Sequence, residues 1–206
     1  MATTELRTAP LHMIRHQDGA IIDLKPLQGF WTTEQYLRLS DHTRMLMEFT
    51  DGVIEVLALP TDRHQTILEF LFLLFHSYIQ PKGGKILFAA LRLAIRPNTF
   101  REPDLILLCD ANDPRRQNRF WLGADLVVEV VSEDDPERDT VDKVADYAEA
   151  KIPEYWIINP LDETITILRL VDTTYVADGV YRRGEVAVSA LLTDFRVSVN
   201  EVFDAR

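Results

Sequence analysis

Two carboxylates stand where strand residues should be apolar. Asp104 follows Pro103 at the start of the run Leu105-Ile106-Leu107-Leu108, and Glu129 sits inside Leu126-Val127-Val128-Glu129-Val130-Val131. Strand side chains alternate between faces, so Glu129 shares its face with Val127 and Val131 and does not belong to a solvated face. A buried carboxylate without a partner is costly or becomes protonated, so each acid demands one. An arginine or a set of backbone amides would serve. So would a metal ion held by acids at neighbouring strand ends, through the hard oxygen ligands that Mg2+ prefers. Further along, Asp139, Lys143 and Tyr147 recur every fourth residue, one stripe of a helix. Two readings compete for that stripe: a surface Asp–Lys pair with a tyrosine at its rim, or a lysine brought back over the end of the Glu129 strand.

Other chemistries find no foothold. The chain has no Gly-rich phosphate loop, no His-Glu-x-x-His zinc helix and no Gly-x-Ser-x-Gly elbow. His12, His16, His42 and His76 form no ligand spacing, and His64 reads as a structural histidine at a helix start, within reach of the site as an accessory group. The single cysteine, Cys109, closes an apolar run and is expected to be a buried thiol without a role. One cysteine forms no internal disulfide, and no apolar leader or segment of roughly 20 residues suited to a membrane helix is visible, so a cytoplasmic protein with no membrane partner is expected.

The elements that must position these residues are set by pattern and punctuation. Residues 1–30, with Pro10, Pro26 and Gly29, read as a partly ordered arm, and 31–206 as a single domain. Thr32 to Leu39 reads as a short capped helix, and Thr50-Asp51-Gly52 as a type I′ turn joining Met45–Phe49 to Val53–Leu59. From Thr61 to about Gln80 an apolar helix is expected, buried on most sides. Strands are expected at Lys85–Ile95, Asp104–Cys109 and Leu126–Val131, a helix from Asp139 to Lys151, and a strand at Glu154–Ile158. Short β runs fill Thr164–Leu170 and Tyr175–Val199. The order is αβββαβ: an α/β (α+β) fold with a mixed central sheet flanked by helices, an added N-terminal helix and hairpin, and C-terminal strands.

The ordered series Glu102-Pro103-Asp104, Asp125-Leu126-Val127-Val128-Glu129-Val130-Val131-Ser132, Asp139 with Lys143 and Tyr147, and Pro153-Glu154-Tyr155-Trp156-Ile157-Ile158-Asn159-Pro160 resembles the Uma-two family of restriction-endonuclease-like proteins, in the PD-(D/E)XK nuclease superfamily. The likeness extends from about Thr32 to Phe203 and includes His64-Gln65. It implies a restriction-endonuclease-like core and a metal-dependent endonuclease acting on DNA. It makes Asp104 and Glu129 the metal-binding acids, with the Val130 carbonyl a further ligand and Glu48, just before the Asp-Gly turn, a third carboxylate. The lysine of the superfamily's motif would fall at Val131, and Lys143 matches the lysine that stands in for it on the next helix. Tyr147 would hydrogen-bond an oxygen or pack, and packing is expected. Mg2+, with Mn2+ as a substitute, would neutralise charge at the phosphate and acidify a water. A duplex needs two cuts and one site makes one, so a homodimer is expected. The alternative is a catalytically silent nuclease fold serving as a protein- or DNA-interaction module.

Charge bears on that choice. The formal net charge of -11 over 206 residues argues at first against a nucleic-acid partner. It is unevenly spread, though. Residues 133–149 hold eight acids and two bases, while residues 82–101 hold five bases and no acid. Arg92, Arg96 and Arg101, with Arg115, Arg116 and Arg119 in the next loop, are therefore the candidate DNA-binding strip, against a reading as solvated strand edges.

Overall fold

The computed structural model describes residues 11–14 and 17–206, so the expected N-terminal arm falls in part, at residues 1–10, 15 and 16, outside the described residues. In chain order the elements are β1 (His12–Ile14), β2 (Ile21–Asp23), α1 (Thr33–Ser40), β3 (Met47–Thr50), β4 (Val53–Val56) and α2 (Asp62–Ile79). Then come β5 (Lys85–Phe88), β6 (Leu93–Arg96), β7 (Thr99–Arg101), β8 (Leu105–Leu108), β9 (Leu126–Val130), α3 (Lys143–Glu149) and β10 (Glu154–Asn159). The last are β11 (Thr164–Val171), β12 (Thr174–Tyr181), β13 (Val186–Val188), β14 (Arg196–Ser198) and α4 (Val199–Phe203). The chain divides into two compact units. One is made of residues up to Leu59 with Pro97–Arg101, the other of Pro60–Arg96 with Glu102–Arg206.

In the first unit β3 pairs with β4 on one side and β7 on the other, both antiparallel. The turn between β3 and β4 has the expected primed form, with φ of 44° at Asp51 and 90° at Gly52. Gly52 is required twice over: a Cβ there would also lie 2.6 Å from the Gly29 carbonyl oxygen. Thr32 caps α1 in a reciprocal box with Gln35. The helix is anchored by Tyr36, fully buried, whose ring stacks on Phe49 at 4.9 Å and whose hydroxyl donates to the Met47 carbonyl at 2.9 Å.

The second unit is built on a mixed six-stranded sheet in the order β12-β11-β10-β9-β8-β5, with helices on both faces. Only β9 and β10 run parallel, and α3 supplies the crossover between them. Alternation sorts the core. Leu105, Leu107, Leu126, Val128 and Val130 meet Ile67, Leu71 and Phe75 of α2, while Ile106, Leu108, Val127 and Val131 meet Tyr147 of α3 with Tyr155 and Ile157. Glu129 therefore projects to the α3 side, as its place between Val127 and Val131 required.

Helix α2 is covered on most sides: Ile67, Leu68, Leu71, Phe75 and Ile79 lie in the core, Phe70, Phe72 and Leu74 pack against it, and Leu73 is 58% exposed. Two expectations are corrected. Lys85–Ile95 is two strands, β5 and β6, separated by a bend at 89–92. Cys109 is exposed rather than buried, because the strand ends at Leu108 and the chain turns outward there. Among the described residues no helix is long and apolar enough to cross a membrane.

Partial burial of the Cys109 thiol, and next the charge of Asp125, push its pKa up to about 11. An exposed cysteine with so little thiolate should be slow to alkylate. At pH 8 iodoacetamide should modify Cys109 in the folded protein about a hundredfold more slowly than an unperturbed thiol of pKa ~8.5, and the rate should climb until about pH 11. Alkylation at the rate of a free thiol at pH 8 would contradict this environment.

Candidate active site

The two strand carboxylates meet. β8 and β9 are antiparallel with Leu105 opposite Val128, so Asp104, just before β8, comes level with Glu129 near the end of β9. The two are cross-linked through the backbone. The Asp104 N–H donates to Glu129 Oε2 at 3.3 Å, and the Val130 N–H donates to Asp104 Oδ2 at 2.8 Å. His64, in the first turn of α2 and held there by the Thr61 cap, places Nε2 3.1 Å from the same Oδ2. Its Nδ1 is buried without a hydrogen-bond partner.

On the α3 side Lys143 reaches in. Its Nζ lies 2.9 Å from Glu129 Oε1 and 3.0 Å from Asp139 Oδ1, with all three residues buried. The Tyr147 hydroxyl donates to the same Glu129 Oε1, so the expectation that it only packs is corrected. The reading of Asp139 and Lys143 as a surface pair fails as well, since they are 2% and 3% exposed. Both reversals have one cause: the stripe of α3 faces the sheet, directly over Glu129. Residues 138–142 form a wide turn in which the Lys143 N–H donates to the Arg138 carbonyl five residues back. Such turns recur at functional sites, and the extra residue rotates the rest of the helix by roughly 100°. The Tyr155 hydroxyl pins the turn by donating to the Asp139 carbonyl at 2.7 Å.

Electrostatics are set by this packing. Burial pushes the Glu129 carboxyl up to about 8; the Lys143 charge opposes that, and the charges of Asp104 and Asp139 add to it. Burial alone would lower the His64 pKa, but the hydrogen bond and charge of Asp104, the charge of Asp139 and the Val130 backbone outweigh it and raise the group.

Glu48 belongs to the first unit, where it is buried on β3 with Arg101 Nε 3.7 Å away. Arg101 is itself buried and also donates to Thr50 Oγ1, so it is not on a surface open to phosphate. Arg96 pairs with Asp146 at 3.3 Å and Glu149 at 3.6 Å. Arg115 is held by Asp113 at 2.6 Å and Asp125 at 2.7 Å. Arg92 is half-buried, and Arg116 and Arg119 are exposed. Three buried acids, Glu102, Asp139 and Glu154, were not among the expected site residues. Asp139 had its signal in the fourfold spacing to Lys143. Glu154, a charge opening an apolar strand, accepts from Trp156 Nε1 and Ser189 Oγ, both at 2.6 Å, and from the Leu191 N–H at 2.7 Å. It ties β10 to the loop after β13.

A sequence model of the Uma2 family, described as "Putative restriction endonuclease", matches residues 33–200. The chain belongs to this family. Among solved structures it is similar to a "putative nuclease belonging to DUF820 from Anabaena variabilis", with 18% identity, a TM-score of 0.71, and coverage of 84% of this chain and 98% of that one. That likeness shows a shared fold. No curated protein matches. The expected family and the mixed α+β architecture are thus both found.

The donor set fits a hard divalent cation. The Asp104 and Glu129 carboxylates and the Val130 carbonyl would offer it oxygen donors, and Mg2+ is ordinarily held by one or two carboxylates, with water and substrate phosphate filling the rest. Among the described residues no group of three or more acidic, histidine or cysteine side chains is placed to hold a metal ion by itself.

Because the folded Glu129 pKa lies above its unfolded value, the folded state binds the extra proton. Its contribution to stability is present below the ordinary carboxylate range and is lost as pH rises towards about 8. Urea midpoints of metal-free protein should therefore fall across that window, and Glu129→Gln should flatten the fall. An unchanged slope in the variant would refute the assignment.

Proposed function

We propose that this protein is a divalent-metal-dependent endodeoxyribonuclease of the PD-(D/E)XK type, hydrolysing DNA phosphodiester bonds. The observation that carries the reading is the meeting of Asp104 and Glu129 at adjacent strand ends with a lysine from the following helix on the same carboxylate. Membership of the family supports it. Asp104, Glu129 and the Val130 carbonyl would hold Mg2+, or Mn2+ in its place. When bound, the cation supplies charge neutralisation at the scissile phosphate and acidifies water. Lys143 holds a water or a phosphate oxygen by its ammonium, and its charge offsets the surrounding acids. Tyr147 fixes the Glu129 carboxylate from the other side, and His64 does the same for Asp104.

DNA is the substrate in this reading, approached through Arg92, Arg116 and Arg119. Arg101 is buried and Arg96 and Arg115 are partly so, and they contribute less. We further propose a symmetric homodimer, one site for each strand of a duplex.

Plasmid nicking with Mg2+ or Mn2+ tests the assignment. Asp104→Asn and Lys143→Ala should each lower the rate at least about a hundredfold. Cleavage that survives both substitutions would remove the site, and no cleavage of any DNA by the intact protein would favour a binding module. In the same preparation, light scattering should give twice the 23.7 kDa of the chain. A second outcome concerns binding. Arg116→Ala with Arg119→Ala should reduce the slope of log affinity against log salt by about 1–2, and an unchanged slope would place the DNA elsewhere.

A further inference from the structure

We infer that Asp139 is a positioning residue that gives Lys143 a second seat, so that a divalent cation can take Glu129 without expelling the lysine from the site. The inference rests on the metal-dependent reading above. Glu129 is crowded. Its Oε1 accepts from Lys143 and Tyr147, and its Oε2 accepts from the Asp104 N–H. A cation bound by Glu129 therefore competes with the Lys143 ammonium for the same oxygen. An ammonium driven off in a buried site needs another acceptor, because a buried charge left uncompensated is strongly unfavourable.

Asp139 removes that difficulty. Its Oδ1 is 3.0 Å from Lys143 Nζ, nearly the 2.9 Å of the Glu129 contact, and equally buried. That oxygen makes no aligned hydrogen bond, so the contact is an ion pair with an acceptor site still open for the ammonium to turn into. Arg138 Nε approaches the same oxygen only to 4.0 Å, too far to fill that acceptor site. The position of the carboxylate is set by its backbone, in the wide turn that Tyr155 pins. Moving the ammonium wholly onto Asp139 takes a small rotation about the lysine stem, and the lysine stays within the site in both states.

A double-mutant cycle read by Mn2+ affinity separates this role from a general effect of charge. Free Mn2+ is counted by electron paramagnetic resonance in titrations of the full chain, with folding of each variant checked by circular dichroism. Asp139→Asn should weaken Mn2+ binding about tenfold, the size usual for a group that supports a metal site from outside it. Asp139→Glu should recover most of the loss. In a Lys143→Met background, where no ammonium needs a second seat, Asp139→Asn should cost less than about twofold. An equal loss in both backgrounds would mean that Asp139 acts on the cation by its charge alone, and the inference would fall while the metal site stood. No Mn2+ binding by the unaltered protein would overturn the metal-dependent reading, and this inference with it. If Asp139→Asn does not fold, Asp139→Ser in the same cycle carries the same outcomes.

Discussion

Glu129 sits on the α3-facing side of a buried strand, between Val127 and Val131, and much of the second unit is arranged to tolerate its charge there. A carboxylate in that position has to be given donors from several directions, because a half-satisfied buried charge is worse than an apolar residue. It receives them from three places: the Asp104 N–H where β8 begins, the Lys143 ammonium at the start of the crossover helix, and the Tyr147 hydroxyl one turn further. Each donor fixes something larger. The Asp104 contact holds the β8–β9 register at the strand end, and the two α3 contacts hold the helix in rotation over the sheet. The parallel pairing of β9 with β10 is what makes a helix available there at all, since parallel neighbours need a crossover.

How much of this could be read beforehand depends on the range of the interaction. Period-2 alternation put Glu129 on the Val127 and Val131 face, and the fourfold spacing put Lys143 and Tyr147 on one stripe, because both are properties of a few consecutive residues. The Asp51-Gly52 turn and the Thr32 and Thr61 caps were legible for the same reason. Whether the stripe faces solvent or the sheet is a tertiary property, and local pattern left both open. The wide turn at 138–142 has no Gly or Pro to announce it. It arises where the backbone must bring Asp139 and Lys143 to one point. Cys109 was misplaced because an apolar run of four predicts its own burial but not the residue at which the chain leaves the sheet.

Glu154 shows that burial of an acid does not by itself make a site. By sequence it is as anomalous as Glu129, a charge at the head of the apolar strand that pairs in parallel with β9. Its donors are an indole N–H, a serine hydroxyl and a backbone N–H, all neutral, and all belong to the strand itself or to the loop after β13. Glu129 differs in having a lysine and a second carboxylate within the same cluster. That combination of charges, rather than burial alone, distinguishes the Glu129 cluster from a structural tie.

Net charge, too, depends on where the charges meet. Along the chain, the basic stretch 82–101 and the acidic stretch 133–149 looked like separate surfaces of opposite sign. In space they partly cancel: Arg96 comes from the first, and its partners Asp146 and Glu149 come from the second. Helix α3 and the turn before it thus direct the acids of one run two ways. Asp139 faces inward to a lysine, while Asp146 and Glu149 hold an arginine of β6, leaving Glu133, Asp134 and Asp135 outside both pairings. On the proposed function, the grip on a phosphate backbone would come from exposed arginines, steeply dependent on salt, and from the cation that Asp104 and Glu129 would hold.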